Sequence, residues 1–105
     1  MSDAAVTEVH AVDDALVAQI AALVGQLSAT AAPPSRAELE AIVGSDATRL
    51  LVGRDGDAVL GMLTLALFRI PSGLQARIED VVVDDAARGR GISRALTAAA
   101  LDLSR

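Results

Sequence analysis

The 105 residues contain no cysteine, tyrosine, tryptophan or lysine, and a single phenylalanine, Phe68. Without cysteine there is no disulfide framework, no thiol nucleophile and no thiolate metal site. With one aromatic ring, the core must be aliphatic, built from Leu, Val, Ile and Ala. Every basic residue is arginine, and that bias, together with the abundance of alanine, is what a high-GC coding sequence gives. No apolar run reaches the ~18 residues of a membrane span. The opening Met1-Ser2-Asp3 lacks the basic-then-apolar pattern of a signal peptide, so a soluble cytoplasmic protein is expected. The net charge of −5 and pI near 4.6 disfavour a nucleic-acid partner, because phosphate backbones need a basic surface. What remains is 52% hydrophobic with a mean hydropathy of +0.46, which argues against disorder. The length suits one domain, 1–105, with a modest single core.

Read in order, Ala4 to Val12 supplies a first strand around Val6, Val9 and Val12. Asp13 is an N-cap, with Val12 and Val17 as a hydrophobic staple. Leu16, Ile20, Leu23, Val24 and Leu27 recur at helical spacing, which predicts a helix from Asp14 to Ala29. A small-residue break closes with Pro33-Pro34. Ser35-Arg36-Ala37-Glu38 is a capping box opening a short second helix, with Leu39, Ile42 and Val43 on its apolar face and Gly44 placed to end it in a left-handed conformation. Thr48 to Arg54 reads as a strand, Arg54-Asp55-Gly56-Asp57 as a hairpin turn, and Ala58 to Ile70 as a longer strand with a bulge at Gly61. Pro71-Ser72-Gly73 turns again, and Leu74 to Val83 is a central strand. Its three consecutive valines predict cover on both faces. Asp84 and Asp85 end it. The order is β-α-α-β-β-β-α, an α/β chain.

The stretch Ile78–Leu96 organises this pattern. After the valines, Arg88-Gly89-Arg90-Gly91 turns the backbone, and Ile92, Leu96, Ala99 and Leu103 recur at helical spacing. A glycine turn opening a helix offers bare N–H groups and the positive end of the helix dipole to an anion. Glycine permits unusual φ angles and close backbone approach. Arg88, Arg90 and Arg94 add positive charge there. The alternative is a tight strand-to-helix connection with no ligand.

Arg88-Gly89-Arg90-Gly91-Ile92-Ser93 resembles the Arg/Gln-x-x-Gly-x-Gly/Ala signature of the GNAT superfamily of N-acetyltransferases, with Ser93 a small departure at the last position. Ile78-Glu79-Asp80-Val81-Val82-Val83 is similar to the central strand of glucosamine-phosphate N-acetyltransferases and many bacterial members. The resemblance spans nearly the whole chain. It implies a mixed, largely antiparallel sheet flanked by helices, acetyl-CoA as co-substrate, and a small-molecule or peptide amine as acceptor. It assigns the pyrophosphate to Arg88, Gly89, Arg90, Gly91, Ile92, Ser93 and Arg94. It places Val81, Val82 and Val83 along the cofactor and assigns the acetyl carbonyl to a backbone N–H at Val81 or Val83; the alternative is that Val81 and Val83 are plain core residues. It also implies a further strand, helix and terminal hairpin beyond the motif helix, the helix often bearing a tyrosine that protonates the thiolate. By that comparison these 105 residues bind CoA weakly and transfer little on their own, and the strand's bare edge favours a homodimer.

Acetyl transfer needs a deprotonated amine, a polarised carbonyl and a protonated leaving thiolate. Glu79 is the candidate base; its alternative is a solvent-facing residue paired with Arg77. Asp80 should face the other way and serve as a structural hydrogen-bond acceptor, unless a bulge breaks the alternation. His10, the only histidine, reads as a surface residue. Asp84-Asp85 without a third ligand type reads as a solvated turn, so no metal is expected. Two other readings stay open: a cofactor-binding or regulatory module without catalysis, and a structural α/β subunit.

Overall fold

The structure, a computed structural model, describes residues 5–104. Ala4, expected to begin the first strand, lies outside them. Strand β1 (Ala5–Glu8) is shorter than expected. Helix α1 (Asp14–Leu27) starts where Asp13 Oδ1 accepts the Leu16 N–H at 2.7 Å, and it stops two residues before Ala29. Helix α2 (Arg36–Gly44) carries the full capping box: Ser35 Oγ accepts from Glu38 N at 3.1 Å, and Glu38 Oε1 accepts from Ser35 N at 3.0 Å. The backbone hydrogen bond from Ser35, then that of its hydroxyl, holds the Glu38 carboxyl below its ordinary pKa. Gly44 is not left-handed. It is the last helical residue, and the helix closes through an extended Ser45 whose N–H reaches Ile42 O.

Strands β2 (Thr48–Asp55), β3 (Ala58–Ile70) and β4 (Gly73–Val83) follow. Gly56 (φ 61°) turns the two-residue β2–β3 connection. The four strands form an antiparallel meander in the order β1-β2-β3-β4. The expected bulge is present: Arg54 pairs with Val59 and Gly53 with Gly61, which leaves Leu60 as the extra residue.

Strand side chains alternate, so the sheet offers two apolar faces. Leu50, Val52, Met62 and Val82 pack with α1 and α2 on one side. Leu51, Leu63 and Leu65 pack on the other, against Ile92, Leu96 and Ala100 of the last helix, α3 (Ile92–Leu103). The result is a helix–sheet–helix sandwich with a wholly aliphatic core. Among the described residues no helix is long and apolar enough to cross a membrane.

The central strand of the sequence reading is the open edge of this described sheet. Of its valines only Val82 is buried, while Val81 and Val83 are half-buried. The physical reason is lateral position. The helices cover only the last residues of β4, and its first half projects with the end of β3 as a hairpin whose Phe68, Ile70 and Leu74 are exposed.

Candidate acetyl-CoA site

The site is built where β4 hands over to α3. Between them lies one 3₁₀ turn, Asp85–Ala87, capped by Asp84 through the Ala86 N–H at 3.0 Å. Ala87 is buried beneath α3, so the chain is pinned before it reaches the glycines. Gly89 (φ 87°) and Gly91 (φ 76°) are both left-handed, a conformation that costs any residue with a Cβ. A Cβ built on either would meet nothing within 4 Å, so the space over both is open.

Helix α3 departs from the other two in its start. Asp13 and Ser35 cap α1 and α2 with side chains, whereas Gly91 leaves α3 with no side-chain cap. The N–H groups of Ile92, Ser93 and Arg94 have no acceptor within the helix. The Ile92 side chain turns into the core and is 2% exposed, so its contribution at the surface is its N–H alone. Ser93 and Arg94 are exposed.

The arginines differ from one another. Arg94 has no ion-pair partner among the described residues. Arg88 makes an exposed pair with Asp85 at 3.0 Å, a type of contact worth about 0–1 kcal/mol and readily exchanged. Arg90 reaches back across the loop to Asp55 Oδ2 at 3.2 Å, at the end of β2. That contact braces the glycine turn against the β2–β3 hairpin.

Two open grooves meet here. One, of about 410 Å³, is lined by Val83, Ala87, Arg88, Gly89 and the residues from Gly91 to Arg94. The other, of about 440 Å³, is lined by Val81, Val82, Val83, Arg88, Ser93 and two residues of α1, Gln26 and Leu27. They share Val83, Arg88 and Ser93, so the glycine turn and the end of β4 form one surface.

A second irregularity sits just before that surface. Met62 pairs with Val82 and Thr64 with Glu79, so Asp80 and Val81 together oppose Leu63. This is a β-bulge, and Asp80 at φ 52° is the one non-glycine described residue with positive φ. Ile78, Val81 and Val83 pack on the α3 side and Val82 on the other. Glu79 and Asp80 therefore both fall on the α1/α2 side, Glu79 opposite Thr64 and Asp80, which is exposed, at the edge of a cavity under those helices. The bulge is the exception under which Asp80 does not face away from Glu79, so the alternation does not hold here; the expectation that Asp80 is a structural acceptor is overturned. It accepts no hydrogen bond among the described residues. Glu79 has half its side chain exposed and lies 3.7 Å from Arg77 Nε, the pairing anticipated as its alternative; it lines neither groove at the glycine turn. His10 is exposed.

Some site residues had no readable signal. Gln26 Oε1 accepts the Asp85 N–H at 2.9 Å and ties α1 to the turn, 59 positions away in sequence. Asp55 read only as a turn residue, yet it holds Arg90.

Residues 13–105 match the model of the acetyltransferase (GNAT) family. The chain belongs to the GNAT family. A search of curated proteins found no match. Solved structures show the same fold. An acetyltransferase from Trypanosoma brucei is 24% identical, with 98% of this chain and 75% of that one covered at a TM-score of 0.76. The glucosamine-6-phosphate N-acetyltransferase of Arabidopsis thaliana is 18% identical, with 96% and 74% covered at 0.75. An aminoglycoside acetyltransferase from an uncultured soil metagenomic sample, in complex with sisomicin, is 18% identical, with 95% and 68% covered at 0.80. The α/β architecture expected from the sequence is therefore that of GNAT acetyltransferases, and membership of the family supports acyl transfer as its general chemistry.

Proposed function

We propose that this GNAT protein is a cytoplasmic N-acetyltransferase that takes its acetyl group from acetyl-CoA and gives it to a primary amine. The observation that carries this reading is the continuity of a left-handed glycine turn, at an uncapped helix start, with the bulged edge of β4. The turn fits a pyrophosphate. Its glycines leave open space, its helix start offers free N–H groups, and Arg88 and Arg94 stand exposed beside it. Arg90, braced by Asp55, keeps the turn in shape. Val81, Val82 and Val83 line the groove that leads from it along β4.

Acetyl-CoA supplies a thioester. An edge strand directs alternate N–H groups away from its neighbour, and one at Val81 or Val83 donates to the acetyl oxygen. Glu79, directly or through water, takes one proton from the ammonium, and the freed lone pair forms the C–N bond; as the C–S bond breaks, the departing CoA thiolate takes the second proton from the nitrogen, which leaves the neutral amide and free CoA thiol. The edge of β4 also fits pairing with a second copy, and sedimentation showing only 10.7 kDa monomer at micromolar concentration contradicts that dimer.

One observation favours a second reading, CoA binding without catalysis: Glu79 lines neither groove beside the turn. Calorimetry with CoA together with a thiol-release assay over a panel of amines separates the two. Binding with amine-dependent thiol release supports the transferase. Binding without release supports the second reading, and no binding at millimolar CoA removes both.

A further inference from the structure

We propose that the amine acceptor is a small apolar primary amine, with its hydrocarbon part in the aliphatic cavity under α1 and α2 and its ammonium on Asp80. The inference rests on the transferase reading and names the substrate class.

The cavity is about 220 Å³ and lies on the opposite side of the sheet from α3. Ile20, Leu39, Ile42 and Met62 give it an aliphatic wall, and only Thr64 and Asp80 bring polar side chains to it. An apolar cavity of ~150 Å³ holds benzene, so this one takes an alkyl or ring group of about six to eight carbons. A sugar or other polyhydroxylated amine would set hydroxyls against the aliphatic wall, where only Thr64 and Asp80 offer polar side chains. Each such hydroxyl costs about tenfold or more in affinity.

Asp80 is the one carboxylate on this cavity, and no hydrogen bond or ion pair within the described residues engages it. The bulge sets it on the same side of the sheet as Glu79. An ammonium held by Asp80 is thus one residue from the proposed base. The neighbouring carboxylate takes the proton and frees the lone pair for the acetyl carbon.

The test uses cyclohexylmethylamine and glucosamine as probes, titrated by NMR into the full chain with and without CoA, alongside thiol release. Cyclohexylmethylamine is expected to bind about tenfold or more tighter than glucosamine. Asp80→Asn should weaken it by about tenfold or more and leave CoA binding unchanged. Asn tolerates the left-handed conformation, so this change removes charge without breaking the bulge. Ala32→Phe, at an exposed position on the cavity, should block cyclohexylmethylamine while the circular-dichroism spectrum stays that of the parent. Equal binding of the two amines, undiminished binding in Asp80→Asn, or no apolar-amine binding at millimolar concentration overturns the proposal. Amine binding without thiol release supports the pocket and removes the transferase reading. Thiol release with no preference for apolar amines overturns the pocket and keeps the transferase.

Discussion

Gly61→Ala tests how α3 is seated, and its effect can be worked from the packing. Gly61 lies in β3 between Gly53 of β2 and Val83 of β4. A Cβ there meets Ile92 Cγ2 at 3.0 Å, the Val82 carbonyl oxygen at 3.2 Å and Leu96 Cδ1 at 3.3 Å. None of the three can yield easily. Val82 O is backbone, and Ile92 and Leu96 are 2% and 0% exposed. Overpacking of this kind costs about 1–3 kcal/mol. The lower unfolded-state entropy of alanine returns up to ~1 kcal/mol. The net loss is about 1 kcal/mol, which lowers the Tm of a domain of this size by roughly 4–8 °C. CoA affinity should fall with it, because Ile92 is the first residue of α3 and the neighbour of Gly91. Gly25→Ala is the control of opposite sign. It lies within α1 with nothing near a new Cβ, and it should gain about 0.5–1 kcal/mol. Calorimetric melts and CoA titrations of both variants decide. A Gly61→Ala protein melting at or above the parent refutes the reasoning.

Glu79→Gln keeps the shape of the proposed base and removes its basicity, so turnover should fall about 10²–10⁴-fold with CoA affinity within a few-fold. An unchanged pH–rate profile would reduce Glu79 to the surface partner of Arg77. The capping box gives a pH signature. The pKa of Glu38 is lowered on folding, so its contribution to stability is present above the ordinary value of 4.5 and is lost as pH falls through the depressed one. Melting curves of the parent and Glu38→Gln should therefore converge in acid below that value, and a constant gap down to the acid limit contradicts this.

The parts of the fold that were legible are those that local chemistry determines. Asp13 and the Ser35–Glu38 pair satisfy the first N–H groups of their own helices, so the starts of α1 and α2 could be read within a few residues of sequence. The two glycines at 89 and 91 announced a turn for the same reason, since only glycine takes those φ angles without cost. What was not legible depends on partners far away. The bulge at Asp80 depends on how β4 registers on β3, and it decides the side of a carboxylate that alternation alone left open. The three valines promised burial on both faces, but a strand's cover is set by its place in the sheet, and β4 is the described sheet's edge. Gly44 has the composition of a helix stop, yet the chain leaves α2 through an extended Ser45 toward β2 and needs no left-handed residue.

The measurement that bears most directly on the central claim is a CoA titration of the parent chain and of Gly91→Val, followed by calorimetry. At φ 76° a β-branched side chain is strained, and its Cβ would occupy the open space above the turn. The parent should bind CoA, with affinity falling as salt is raised, and Gly91→Val should show no binding while retaining a cooperative melt. A folded Gly91→Val protein that binds CoA as tightly as the parent would contradict the assignment of this loop.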